Sequence, residues 1–158
     1  GSLYPRMAEA GAQLAVQVLA DFALNKRNPR IQPESPNLRL APKLGPDFAH
    51  LEQLDSSFSV HNRIRACDST PGASLPSPER PGERFKLFAS SYRATPLSQG
   101  SESVYYVIDN ECFKIIDGRG VSEIHEIQWP GKRRMPASEF LRGSRIRGRF
   151  TLSGQKID

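Results

Sequence analysis

The spacing of apolar positions divides the chain into a helical start and a run of strands. Between residues 7 and 26, Leu14, Ala15, Val18, Leu19 and Phe22 recur at three- and four-residue intervals, which puts them on one helical face. Lys26 and Arg27 follow at the end where the helix dipole favours cations. Such a helix either packs on the core or is an appended, partner-binding element. Pro29, Pro33, Pro36, Pro42 and Pro46 then remove backbone donors and restrict their predecessors, so 28–46 is predicted to be an extended connector. Asp47 can cap a short helix in which Phe48, Leu51, Glu52 and Leu54 give a partial face.

From residue 57 onward the period shortens. Phe58, Val60 and Ile64 alternate with Ser59, His61, Arg63 and Arg65, which predicts a half-buried strand over 57–66 with basic residues on its second face. Residues 68–84 carry Pro71, Pro76, Pro78 and Pro81 with Gly72 and Gly82, and read as a loop. Further strands are predicted over 84–91, 104–108, 111–116, 121–129 and 144–152. The two that flank Asp117-Gly118-Arg119-Gly120 carry a strong hairpin signal. A helix followed by at least five closely spaced strands implies an α+β or mainly β domain on a small sheet.

Composition narrows this picture only a little. A length of 158 residues suits one domain, and 37% hydrophobic residues suffice for a modest core. The formal net charge of +5 is compatible with an anionic partner, but so small an excess also describes a solubilising surface. Cys67 and Cys112 are too few for a disulfide framework, and no histidine stands at ligand spacing from another or from a cysteine, so no metal site is expected. No apolar run approaches the length of a membrane span, and no signal peptide is visible. Gly1-Ser2 reads as an expression remnant, which suggests a domain excised from a longer protein.

Three segments at predicted strand ends hold the candidate chemistry: Ile64-Arg65-Ala66-Cys67-Asp68-Ser69 with Pro71, Phe88-Ala89-Ser90-Ser91-Tyr92, and Ile124-His125-Glu126. Their order, with the apolar strand Tyr105-Tyr106-Val107-Ile108 between the second and third, resembles the mono-ADP-ribosyltransferases of the cholera-toxin group. More narrowly, the chain resembles the XopAI-type effectors that plant-pathogenic bacteria inject through type III secretion. The resemblance covers roughly Phe58 to Leu152, with Met135 to Arg147 as the closing segment. It implies an α+β fold, a mono-ADP-ribosyltransferase-like split β-sandwich core preceded by an N-terminal helix. The domains would then be 1–46, the helix and proline-rich connector, and 47–158, the altered transferase-like domain.

The same resemblance implies Arg65, Ser90 and Glu126 as catalytic residues meeting in one cleft. Arg65, Ser90, Ser91 and Tyr92 would bind NAD, consumed as a substrate. The chemistry suits those residue types. A carboxylate stabilises an oxocarbenium-like transition state, an arginine fork grips pyrophosphate, and a serine hydroxyl orients the carboxylate. Taken singly, Arg65 reads equally as a surface charge, Ser90-Ser91 as a strand-end pair, Glu126 as a solvated face, and His125 as packed or exposed. Ile124 lacks the acceptor-activating group of arginine-modifying relatives, Tyr92 is bulky, and the proline-rich interval leaves no room for a pocket-wall helix. These departures leave two expectations open: a secreted virulence toxin domain that ADP-ribosylates a host protein, or an inactive member whose cleft holds a peptide or protein. The row Arg145, Arg147, Arg149 lacks interleaved aromatics, so nucleic acid is not expected as a partner.

Overall fold

A computed structural model describes residues 3–26, 29–38, 40–41, 43–68, 70–95 and 103–157. Gly1, Ser2, Arg27, Pro42 and Ser69, named above, lie outside the described residues. The chain divides into two compact units, 1–44 and 45–158.

In the first unit, α1 spans Leu3–Ala23. It ends in a Schellman arrangement: Asn25, at φ 54°, donates its N–H to the Phe22 carbonyl, and Lys26 donates to Asp21. No α1 residue is buried, and Leu14 and Val18 on its apolar stripe are 60% and 42% exposed. The described residues between 29 and 45 form neither helix nor strand.

The second unit opens with a 3-10 turn, Pro46–Ala49, then α2, Ser57–Cys67. The strands are β1 (Ala73–Pro76), β2 (Arg84–Ala94), β3 (Tyr105–Ile108), β4 (Phe113–Asp117), β5 (Gly120–Gln128), β6 (Met135–Pro136), β7 (Gly148–Thr151) and β8 (Lys156–Ile157), with α3, Ala137–Gly143, between β6 and β7. All pair antiparallel in one sheet ordered β1-β2-β5-β4-β3-β7-β8, with β6 on β5. The expected split β-sandwich of the mono-ADP-ribosyltransferase type is thus replaced by a single eight-stranded sheet. Helix α2 packs across β2 and β5, and α3 packs on β5 and β6.

The strand expected over 57–66 is a helix, and its buried residues show why. Ser57, Val60, Ile64 and Cys67 are spaced by three, four and three, which is a helical stripe. Phe58, counted above as a core residue, is 51% exposed. Ser56 caps the helix by accepting the Ser59 N–H at 3.1 Å. Two further elements were hidden. Strand β1 lies in the proline-rich interval, tolerated there because it is an edge strand. Helix α3 occupies the predicted closing segment, and the strand expected over 144–152 shrinks to β7. The hairpin around Asp117–Gly120 forms between β4 and β5. The core joins Val60 and Ile64 of α2 to Leu87, Ile115 and Ile127 of the sheet. A chain of rings, Phe140 on Trp129 on Phe85, closes one end of it.

Candidate functional site

The N-terminus of α2 is fixed from a distance. The Ser57 N–H donates to Asp117 Oδ2 at 2.6 Å, and the Ser122 hydroxyl donates to the Ser57 carbonyl at 2.7 Å. Asp117 Oδ1 accepts the N–H groups of Arg119 and Gly120 at 2.7 and 2.8 Å. Burial pushes the Asp117 carboxyl up, but these backbone N–H groups outweigh it and hold the carboxyl below its ordinary range. The carboxylate thus serves as both turn former and helix cap.

This anchoring sets α2 against β2 along one seam. Phe58 lies with its ring centroid 4.9 Å from that of Tyr92, and His61 lies 6.1 Å from Tyr92 with the rings nearly parallel. His61 Nδ1 shares a 2.8 Å hydrogen bond with Ser90 Oγ. Burial, and secondarily the Arg65 charge one turn along, lower the His61 pKa from its usual value. Ser90 pairs with buried Ile124, whereas Ser91 pairs with Glu123, so the two serines face opposite sides of the sheet. Ser91 Oγ bonds His125 Nε2 at 2.8 Å on the second side. Gly120 leaves room for Tyr92, since a Cβ there would stand 2.5 Å from the tyrosine hydroxyl oxygen.

Glu126 belongs to a different cluster. The fork of Arg134 grips its Oε2 through Nε at 2.8 Å and through Nη2, and reaches Asp68 at the C-terminal cap of α2 at 3.2 Å. The same guanidinium covers the Phe88 ring at 4.2 Å. Its role there is to tie the β5–α3 connection to the end of α2 and to neutralise Glu126.

The expected site residues therefore occupy separate surroundings. Ser90 faces His61, Ser91 faces His125, Glu126 faces Arg134, and Arg65 stands exposed on a helix rather than at a strand end. A cleft of about 600 Å³ in the second unit lies elsewhere, between Trp129, Met135, Phe140 and Arg145. The row Arg145, Arg147, Arg149 is broken. Arg147 is spent on Asn110 and on the Leu141 and Ile146 carbonyls, and Arg149 lies near Tyr105. Among the described residues no group of three His, Cys, Asp or Glu side chains could hold a metal. No helix of the described residues is long and apolar enough to cross a membrane. Sequence reasoning missed Phe58, His61 and Arg119 as the neighbours of Tyr92. The available signal was the helical spacing of Val60, Ile64 and Cys67, which turns Phe58, His61 and Arg65 toward β2 and solvent.

Comparison with known sequences now gives the arrangement a family. The sequence model of the formyl transferase C-terminal domain matches residues 43–145, and the chain belongs to that family. Among its relatives are the methionyl-tRNA formyltransferases of Syntrophomonas wolfei, Alcanivorax borkumensis and Moorella thermoacetica. They are 33%, 32% and 31% identical over 143, 145 and 143 residues. The alignments take in 90%, 91% and 90% of this chain but 44%, 43% and 44% of those proteins, so the chain spans less than half of their length.

This overturns the mono-ADP-ribosyltransferase and XopAI-type resemblance, and with it NAD, the toxin and virulence roles, type III secretion into a host cell, and the host-protein target. The resemblance rested on three short runs whose first member required a strand. That run lies on and just beyond α2, with Arg65 in the helix itself. The relatives' names carry formyl transfer and tRNA instead, so the exclusion of nucleic acid is withdrawn.

Proposed function

We propose that this chain is the RNA-holding portion of a methionyl-tRNA formyltransferase. In this reading it grips a methionyl-tRNA while the formyl group is handled by a part of the enzyme corresponding to the unmatched length of the relatives. The observation that carries the reading is the 33% identity to a methionyl-tRNA formyltransferase across 90% of this chain. Two features favour holding over chemistry. The ionisable candidates Glu126 and Asp117 are committed to Arg134 and to backbone N–H groups. The net charge of +5 also suits a polyanion.

Titration of labelled methionyl-tRNA with the chain across a potassium chloride series tests it. Binding should weaken as salt rises, with a log–log slope of roughly −0.7 to −0.9 per neutralised phosphate. The chain alone should bind without transferring a formyl group. Absence of binding at low salt, or binding indifferent to salt, would overturn the proposal.

A further inference from the structure

The rings at the α2–β2 seam are less buried than the rings of the core. Phe85, Tyr106, Phe113, Trp129, Phe140 and Phe150 are all buried, whereas Phe58 is 51% exposed although it heads an otherwise well-packed helix. Its ring leans on Tyr92, and Tyr92 in turn lies nearly parallel to His61, so three rings form a continuous patch. The patch is held rather than loose. Asp117 clamps the first turn of α2, the Tyr92 hydroxyl donates toward the Arg119 carbonyl at 3.5 Å, and Ser90 fixes the His61 ring.

The charges around the patch are cationic. Arg65 is exposed one turn beyond His61, and Arg119 is exposed in the turn beneath Tyr92. The neighbouring carboxylates are turned away. Asp117 is taken by three backbone N–H groups, Glu123 shares the far side of the sheet with Ser91, and Asp55 lines a separate cleft with Leu54 and Leu152. Aromatic faces stack on any base, and a guanidinium fork matches phosphate oxygens. An unpaired nucleotide offers both a free base face and a phosphate, whereas a base inside a duplex has no face to offer.

We propose that Phe58, Tyr92 and His61 form a stacking platform for unpaired nucleotides of a bound RNA, with Arg65 and Arg119 holding the flanking phosphates. The proposal rests on the reading of the chain as an RNA-holding portion, and it locates where a single-stranded part of that RNA lies.

The test uses the whole chain with three probes: methionyl-tRNA, a short single-stranded oligoribonucleotide carrying 2-aminopurine, and a short RNA duplex. Phe58→Leu keeps apolar bulk but removes the π face. It should weaken the tRNA and the single strand by roughly tenfold or more and leave the duplex unchanged. Phe58→Tyr should bind within about twofold of the native chain, because a stacking face remains. Gly120→Ala, whose new methyl displaces the Tyr92 ring, should act in the same direction as Phe58→Leu. Arg65→Gln should instead lower the salt slope by about one. If the native chain binds RNA and Phe58→Leu and Gly120→Ala bind the single strand equally well, the platform is refuted while the RNA reading stands. Equal losses on duplex and single strand also refute it. If the native chain binds none of the three probes, both proposals fall together.

Discussion

The two longer helices of this protein invert the usual relation between pattern and packing. Helix α1 displays the clearest apolar stripe in the sequence, yet none of its residues is buried. Helix α2 is only 11 residues long, its stripe is interrupted by His61, Arg63 and Arg65, and it carries Val60, Ile64 and Cys67 fully into the core. Periodicity reports that a helix has two kinds of face; it does not report what covers the apolar one. Helix α2 is held instead by a few complete contacts: a serine cap, a distant carboxylate and side chains with no exposed surface.

Substitutions can widen or erase this contrast. Ile64→Ala should have the largest effect, a loss of about 2–5 kcal/mol in chemical denaturation, because a fully buried branched side chain leaves a cavity. Asp117→Asn should come next, near 2 kcal/mol, since it removes a charged acceptor from three N–H groups. Its pH signature identifies the cause. The folded-state pKa of Asp117 is depressed, so its contribution is present above the unfolded value near 3.8 and is lost as pH falls through the folded value. Melting curves of the native chain and the Asn variant should therefore start to converge as pH drops below about 4 and meet only once it falls below the folded-state pKa. Leu14→Ala in α1 should be the smallest, changing the unfolding of the second unit by less than about 0.5 kcal/mol. A loss above about 1 kcal/mol there would contradict the expectation for an exposed stripe position.

Much of the sheet was readable in advance for a physical reason. Strands β3, β4 and β5 combine buried apolar positions at period two with a turn whose residues permit only a tight reversal, so neighbouring signals agree. Strand β1 was not readable, because its side chains sit among prolines and its partner β2 supplies the hydrogen bonds that its own sequence cannot advertise. Helix α2 was misread because Phe58, Val60 and Ile64 satisfy a strand template over a short window. Only Cys67, one turn further, separates the two periods.

The candidate site suffered from that single error. Ser90 and Ser91 were placed on a strand that in fact runs on through Tyr92, but their neighbours His61 and Phe58 come from the element whose type was wrong. Glu126 attracted attention as a carboxylate near a strand end. Its partner Arg134 lies eight residues away in a connection without periodicity, and no pattern announces such a pair.

The bond between Ser57 and Asp117 spans 60 residues of sequence. An isolated helix of 11 residues is marginal in water, and nucleating one is costly. The element that holds the core together therefore lacks the carboxylate on its Ser57 N–H until the β4–β5 hairpin exists, and its serine cap alone does not make so short a helix persist. On a growing chain α2 emerges well before the carboxylate that completes it. The expected order of assembly runs against the order of synthesis, hairpin first and then the helix that precedes it, and a refolding experiment in which Asp117→Asn slows formation of α2 would show it.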